Sequence, residues 1–195
     1  WAVVVPVKRL DRAKSRLVLT DDARVALVLA MLADTLEAVA RTPDVRERLV
    51  VTPDSAAAEL ATTHGCRVVA DPGRGLNAAG RRGLEVAAAL PNVTAAAALT
   101  GDLPALRPEE LEAALAAAAG YRSAFVPDHA GTGTSMLTST AYDAQPRFGP
   151  GSRAAHRRAG AHELSSGPWP GLRCDVDTIE DLKEAARLGV GPHTA

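Results

Sequence analysis

Short hydrophobic runs alternate along this chain with longer segments in which apolar residues recur at helical spacing. The runs predict buried strands at 2–5, 49–52, 67–70, 95–99, 124–126 and 172–176. The longer segments predict helices at 21–41, 55–63, 76–90, 108–119, 153–160 and 179–188. Strands and helices that alternate in this way indicate an α/β fold, a mostly parallel central sheet flanked by helices. The Gly-, Thr-, Ser- and Pro-rich stretch 128–151 interrupts the alternation and predicts a β-hairpin or a long functional loop.

Length and composition narrow the class of protein. A chain of 195 residues suits a single domain over 1–195. The apolar runs are shorter than a membrane span, and no basic segment precedes the first run, so we expect a cytoplasmic protein without membrane contact. Cys66 and Cys174 are far apart, which argues against a disulfide framework and a zinc site. A net charge of −1 argues against nucleic-acid binding, so small ligands are expected.

Basic residues follow the first predicted strand. In open α/β sheets ligands bind beyond the carboxyl ends of the strands, and Lys8, Lys14 and Arg16 lie there. Several cations in one loop suit a triphosphate, although a solvated basic surface loop has the same composition. No P-loop or dinucleotide-binding glycine pattern is present, which weakens kinase and dehydrogenase interpretations.

Acidic residues follow two other predicted strands. Asp102 comes after the run 95–99, and Asp175 and Asp177 lie on one side of 172–176 if that strand stays extended. Carboxylates at a sheet edge can bind Mg²⁺ together with substrate phosphates. The spacing of Thr178 and Asp181 also predicts a capping box, so one of these acids can serve the helix start instead.

Glycine-containing turns supply the remaining candidates. Gly75 and Asn77 follow the third strand, where a carboxamide suits recognition of a base or ribose, although a plain strand-to-helix turn looks similar. The segments 131–134 and 149–152 combine glycines with hydroxyls and resemble anion-binding nests, with a plain hairpin as the alternative. His156, one turn inside the following helix, is expected on its surface, with a ligand contact as the alternative.

Six motifs in order resemble one family along the whole chain. They are Val-Pro-Val-Lys with Ala-Lys-Ser-Arg-Leu at 5–8 and 13–17, Gly-Leu-Asn at 75–77, Gly-Asp-Leu-Pro at 101–104, Gly-Thr-Gly-Thr at 131–134, Phe-Gly-Pro-Gly-Ser at 148–152 and Asp-Val-Asp-Thr at 175–178. This pattern resembles the guanylyltransferases of coenzyme F(420) biosynthesis. The resemblance implies a single Rossmann-like nucleotidyltransferase domain of the glycosyltransferase-A type.

The resemblance also implies roles for the candidate residues. Thr134, Gly149 and Ser152 would bind the phosphorylated acid, and Asp102 with Asp175 and Asp177 would bind Mg²⁺. The GTP site would comprise Lys8, Lys14, Arg16, Gly75 and Asn77, with Lys8, Lys14 and Asp102 also acting in catalysis.

The expected reaction is Mg²⁺-dependent transfer of GMP from GTP to phosphoenolpyruvate, the acceptor that an Ala- and Arg-rich, actinobacterial type of composition favours. The same reaction on 2-phospho-L-lactate or 3-phosphoglycerate remains open. So do a related nucleotidyltransferase that uses CTP or a molybdopterin acceptor, and a non-catalytic nucleotide-binding module. The product would pass to the next enzyme of the pathway, and a homodimer is compatible with the sequence.

Overall fold

The structure is a computed structural model that describes residues 1–12, 14, 17 and 19–195. Its strands form one seven-stranded sheet in the order β3-β2-β1-β4-β6-β5-β7. The strands are β1 Ala2–Pro6, β2 Glu47–Thr52, β3 Arg67–Ala70, β4 Ala96–Leu99, β5 Ser123–Pro127, β6 Thr134–Ser139 and β7 His162–Glu163. Four of the six neighbouring pairs are parallel, and β6 runs antiparallel to both β4 and β5. The predicted α/β class with a mostly parallel sheet is confirmed.

Helices connect the strands and cover both faces of the sheet. They are α1 Asp21–Arg41, α2 Ser55–Thr63, α3 Leu76–Ala88, α4 Pro108–Ala118, α5 Ser152–Arg158, α6 Pro170–Arg173 and α7 Ile179–Leu188, with a short 3-10 helix at Leu10–Arg12. Their starts follow capping rules: Thr20 accepts from the Ala23 N–H before α1, and the Asp54 carboxylate accepts two N–H groups before α2. In the part of the chain that is described, no helix is long and apolar enough to cross a membrane.

The core consists of two apolar layers, one on each face of the sheet. One layer packs α1 and α4 against the sheet, with Met31 and Leu115 fully buried. The other packs α3 against β1 and β2, with Leu84 and Val4 fully buried in the same cluster. Each such side chain contributes roughly 1.5–3 kcal/mol of hydrophobic stabilisation. This packing fixes the strand ends from which the site is built.

The strand β6 brings a further residue to the carboxyl edge of the parallel strands. Because β6 is antiparallel to β4, its first residue, Thr134, lies at the edge where β4 ends. The Thr100 N–H just after β4 donates to the Ser135 carbonyl at 2.9 Å. The hairpin predicted near 128–151 is therefore β5, a turn at 128–133 and β6, all within the central sheet, and the rest of that stretch is a long loop.

The predicted strand at 172–176 is wrong. Residues 170–173 form the helix α6, with Pro170 in its first turn, and residues 174–177 are irregular. The Glu110 carboxylate on α4 accepts the N–H groups of Gly171 and Leu172 at 3.2 and 2.8 Å, which satisfies the start of this helix. Leu172 and Val176 are fully buried, and this produced the apolar run that resembled a strand.

Candidate active site

A cavity of about 510 Å³ opens at the carboxyl edge of the sheet. Acidic residues form one of its walls, and glycines and hydroxyl-bearing residues form another. The predicted site residues that line it are Lys8, Lys14, Asp102, Thr134, Gly149, Ser152, Asp175 and Asp177. The structure thus brings most of the predicted residues together in one place.

The acidic wall contains a lysine between two carboxylates. The Lys14 Nζ donates to Asp102 Oδ2, and it also donates to Asp177 Oδ1 at 2.6 Å. Burial disfavours the lysine charge, but the two carboxylates outweigh burial and raise the pKa of Lys14. Lys14 is therefore a permanent cation at this wall. The second carboxylate oxygen of Asp102, Oδ1, is buried and has no hydrogen-bond partner among the residues that the structure describes.

Asp175 adds a third carboxylate beside this pair. Burial and the nearby charges of Asp102 and Asp128 raise the pKa of Asp175 to about 8, although Lys14 opposes the shift. The backbone around Asp175 is tied to the sheet because the Val176 N–H donates to the Asp102 carbonyl. The acidic wall therefore carries more negative charge than one lysine neutralises, an arrangement that favours a further cation.

Asp128, which the sequence reasoning did not select as a site residue, also lines the cavity. It directly follows the hairpin strand β5, and its carboxylate accepts the N–H groups of Thr132 and Gly133 at 2.9 and 2.7 Å. A side chain at Gly133 would overlap this carboxylate. The sequence did contain a signal for this residue, namely an Asp just after a predicted strand with two glycines following it. We interpreted the glycines as a binding nest for an external anion, whereas the backbone N–H groups of this turn bind the carboxylate of Asp128 itself.

The opposite wall begins with a buried hydrogen-bond chain. Thr134 Oγ1 lies 2.9 Å from His156 Nδ1, and the Arg147 N–H donates to His156 Nε2 at 2.9 Å. His156 is only 1% exposed, so the expected surface position is wrong. Burial, with a contribution from the Arg147 charge, lowers the pKa of His156 to about 4, which keeps the ring neutral near pH 7.

Ser152 and Gly149 complete this wall. The Ser152 hydroxyl is buried and lines the cavity, and within the described part of the chain it has no hydrogen-bond partner. Gly149 has φ 120°, a conformation that an L side chain rarely adopts, and its carbonyl accepts the Ser152 N–H at 3.0 Å. With Thr134, the wall presents two hydroxyls and glycine backbone, which suits an anionic ligand.

The structure gives Asn77 contacts that differ from the expected base recognition. Its Nδ2 donates to the Phe148 carbonyl at 3.1 Å, and its Oδ1 accepts the Phe148 N–H at 2.6 Å. Asn77 thus holds the loop that carries Gly149. Neither Asn77 nor Gly75 lines the cavity, although Leu76 between them does. The predicted GTP contact Arg16 lies outside the described residues.

The chain's own residues fit a divalent cation in part. Within the described ranges, no group of three or more His, Cys, Asp or Glu side chains is arranged to hold a metal ion, so the predicted set of Asp102, Asp175 and Asp177 is not a ready-formed three-ligand site. Asp177 is half exposed and bound to Lys14. Asp102, whose buried Oδ1 has no described residue as partner, and Asp175 fit the pattern of one or two carboxylates completed by substrate phosphates.

The fold and this two-walled cavity define a nucleotidyltransferase-type α/β enzyme. The family model described as "Guanylyl transferase CofC like" matches residues 1–195, and the chain belongs to this family. Phosphoenolpyruvate guanylyltransferase of Geodermatophilus obscurus is 54% identical, with 100% of this chain and 92% of that protein covered. The Salinispora arenicola protein of the same name is 52% identical over 100% of this chain and 92% of that protein.

Solved structures of low sequence identity share the fold. A candidate nucleotide-diphospho-sugar transferase from Desulfovibrio desulfuricans has a TM-score of 0.71 at 19% identity, covering 93% of this chain and 84% of that chain. A Mycobacterium tuberculosis protein solved in complex with manganese has a TM-score of 0.56 at 20% identity, covering 96% of this chain and 99% of that one. These similarities support the fold assignment.

Proposed function

We propose that this protein transfers GMP from GTP to the phosphate of phosphoenolpyruvate, since relatives that share about half of its sequence are named phosphoenolpyruvate guanylyltransferase. The observation that carries the proposal is the pairing of walls in one cavity: carboxylates and lysines on one side, two hydroxyls and glycine backbone on the other. The first wall suits a metal-bound triphosphate, and the second suits a small phosphorylated acid.

The reaction is a displacement at the α-phosphorus of GTP. An oxygen of the acceptor phosphate forms a bond to that phosphorus, the bond to the β-phosphate oxygen breaks, and pyrophosphate leaves with the electron pair. The acceptor phosphate is largely dianionic near neutral pH, so no protein base has to remove a proton. The task of the protein is to hold two anions in line and to offset their repulsion.

The residues divide this task between them. Lys8 and Lys14 offset the charge of the triphosphate and of the departing pyrophosphate, together with Arg16, which belongs to the same basic segment. Thr134 and Ser152 donate hydrogen bonds to the phosphorylated acid, and Gly149 allows its close approach to the backbone. Acceptor and nucleotide thereby meet between the two walls.

Asp102 and Asp175 would hold a divalent cation, which we propose to be Mg²⁺. When bound, it would withdraw charge from the phosphate oxygens in the transition state. Asp177 would then orient Lys14 rather than bind the metal, since its carboxylate already pairs with that lysine. Removal of divalent cations with EDTA should stop pyrophosphate release, and added Mg²⁺ should restore it. Full turnover in EDTA would contradict the metal assignment.

The acceptor is tested by incubating the protein with GTP and Mg²⁺ together with phosphoenolpyruvate, 2-phospho-L-lactate or 3-phosphoglycerate, each alone. Pyrophosphate and the mass of the product are followed. We expect the fastest turnover with phosphoenolpyruvate and a product with the mass of a guanosine diphosphate ester of enolpyruvate. Replacement of GTP by CTP tests the base. Faster turnover with another acid would show that phosphoenolpyruvate is not the preferred acceptor. The absence of turnover with all three acids would overturn the proposal.

We further propose that residues 1–195 act as one domain in the cytoplasm. The product is an activated diphosphate ester, so it would pass to an enzyme that displaces GMP from it. Sedimentation velocity would show whether the protein is a homodimer.

A further inference from the structure

The cavity wall that contains Thr134, Gly149 and Ser152 is called the acceptor wall here. Behind it, the hydrogen bonds from Arg147 through His156 to Thr134 have a defined direction. A backbone N–H is always a donor, so the Arg147 N–H at 2.9 Å requires His156 Nε2 to be an acceptor without a proton. A neutral imidazole then carries its proton on Nδ1. The Nδ1–H therefore donates to Thr134 Oγ1, 2.9 Å away.

The opposite tautomer is disfavoured by the same geometry. A proton on Nε2 would oppose the Arg147 N–H within a hydrogen-bond distance, and a doubly protonated ring would do so as well. Charging the ring would also cost desolvation, because His156 is buried between the rings of Phe125 and Phe148. Both arguments leave Nδ1 as the only protonated nitrogen.

The consequence falls on the hydroxyl of Thr134. Since Oγ1 already accepts from His156, its own proton is available to a group in the cavity that Thr134 lines. The Ser152 hydroxyl, buried in the same wall, has no partner in residues 1–12, 14, 17 and 19–195. The wall thus offers hydroxyl protons, which a phosphate or carboxylate oxygen accepts and a cation does not.

We propose that His156 is a positioning residue for the acceptor, holding the Thr134 hydroxyl as a hydrogen-bond donor toward an anionic group of the phosphorylated acid. His156 also fixes the Arg147 backbone at the start of the loop that carries Gly149. Asn77 holds the same loop at Phe148, so the loop does not depend on His156 alone, whereas the Thr134 hydroxyl is oriented by His156. The proposal rests on the proposed function for the identity of the acid, but not for the direction of the hydrogen bonds.

Two substitutions separate the two nitrogens. His156→Asn places an amide NH₂ near the Nδ1 position, which retains the donor to Thr134 and loses the acceptor for Arg147. His156→Gln can place its carbonyl oxygen near Nε2, which retains the acceptor and loses the donor. Hydrogen bonds to charged groups are worth about 10-fold to 100-fold in affinity. We expect His156→Gln to raise the KM for phosphoenolpyruvate at least about 10-fold and His156→Asn to raise it about 3-fold or less.

The KM for GTP serves as the internal control and should change less than about 2-fold in both variants. A purely structural role for His156 would change both KM values together, in step with the loss of thermal stability. Equal increases in the KM for phosphoenolpyruvate in the two variants would overturn the proposal. Thr134→Val should remove the same interaction, so adding His156→Gln to it should change the KM less than about 2-fold further. Additive effects would also overturn the proposal.

A measurement without turnover tests the hydrogen-bond direction. In the ¹⁵N-labelled protein at pH 7, the ring nitrogens of His156 should give the spectrum of the neutral Nδ1–H tautomer, assigned by its loss in His156→Asn. An Nε2–H tautomer or a charged ring would overturn the proposal. If no acid supports pyrophosphate release, the proposed function fails, whereas the ring spectrum still decides the direction of the bond.

Discussion

The backbone N–H of Val176 donates to the carbonyl oxygen of Asp102 at 3.1 Å. This bond joins the irregular segment before α7 to the loop that follows β4, so that Asp175 lies beside Asp102 although the two are distant in sequence. The acidic wall thus depends on a backbone contact as well as on its carboxylates. Substitutions that keep this backbone intact can isolate the chemistry of each side chain.

Asp102→Asn should abolish most of the guanylyl transfer while leaving the fold intact. The amide keeps the size of the side chain but loses the charge that pairs with Lys14 and suits a metal ion. We expect the rate of pyrophosphate release with GTP and phosphoenolpyruvate to fall on the order of 100-fold to 1000-fold. Asp22→Asn, in the exposed first turn of α1, is the matched control. A rate near that of this control would contradict the role of Asp102.

Asn77→Asp should weaken the loop that carries Gly149. The new carboxylate keeps the acceptor for the Phe148 N–H but loses the donor to its carbonyl, and it faces that oxygen with a charge. We expect the free energy of unfolding in urea to fall by roughly 1–3 kcal/mol, together with a higher KM for the acceptor. Asn92→Asp, at an exposed turn with φ 64°, should cost much less. Equal decreases in the free energy of unfolding in the two variants would argue against a role of Asn77 in holding Phe148.

Gly133→Ala tests the turn between β5 and β6. A methyl group there would overlap the buried carboxylate of Asp128, which accepts the N–H of the same residue. We expect a loss of roughly 1–3 kcal/mol in the free energy of unfolding from this overpacking. Gly120→Ala, where an added methyl group has no neighbour within 4 Å, is the control and should be close to neutral. Thermal denaturation of the two variants side by side decides between these outcomes.

The buried His156 should make stability depend on pH. Its pKa is about 4 in the folded protein and about 6.5 when unfolded, so the unfolded chain binds more protons between these values. The free energy of unfolding should therefore fall as the pH is lowered through this window, by roughly 2 kcal/mol at pH 5 from this group. His156→Asn should lose that part of the pH dependence. Identical differences between pH 7.5 and pH 5.0 in both proteins, measured by urea unfolding, would show that the ring is not buried and neutral.

The sequence was sufficient for the elements whose signals are local. Helix α1 begins and ends where its acidic first turn and Arg41 indicate, and the capping box of Thr178 and Asp181 forms as the spacing predicts. The sequence was not sufficient where a residue distant along the chain determines whether a helix or a strand forms. The start of α6 is satisfied by Glu110, about 60 positions earlier in the chain, and no local pattern in 170–176 reveals that carboxylate.

The same distinction applies to the site. Asp102 could be selected because it follows a predicted strand and a glycine. Thr134 could be selected because it belongs to a segment of glycines and hydroxyls that the family resemblance assigns to the phosphorylated acid. His156 could not, because a histidine one turn inside a helix has no pattern of its own. The role of His156 depends on its hydrogen bonds to Thr134, 22 positions away, and to the backbone N–H of Arg147 in another loop. Asn77 is similar, since its partner Phe148 is 71 positions away.

Thr134 stands at the start of β6, a strand that is paired on both sides by β4 and β5. The backbone of β6 at the acceptor wall is therefore fixed by strand pairing on both sides. The loop before α5, in contrast, is held largely through the side chains of Asn77 and His156. Substitutions in that loop should therefore change most readily which phosphorylated acid the cavity binds. When substrate preference diverges, in nature or by directed evolution, the changes should concentrate in residues 147–151, whereas β6 and the acidic wall should stay unaltered.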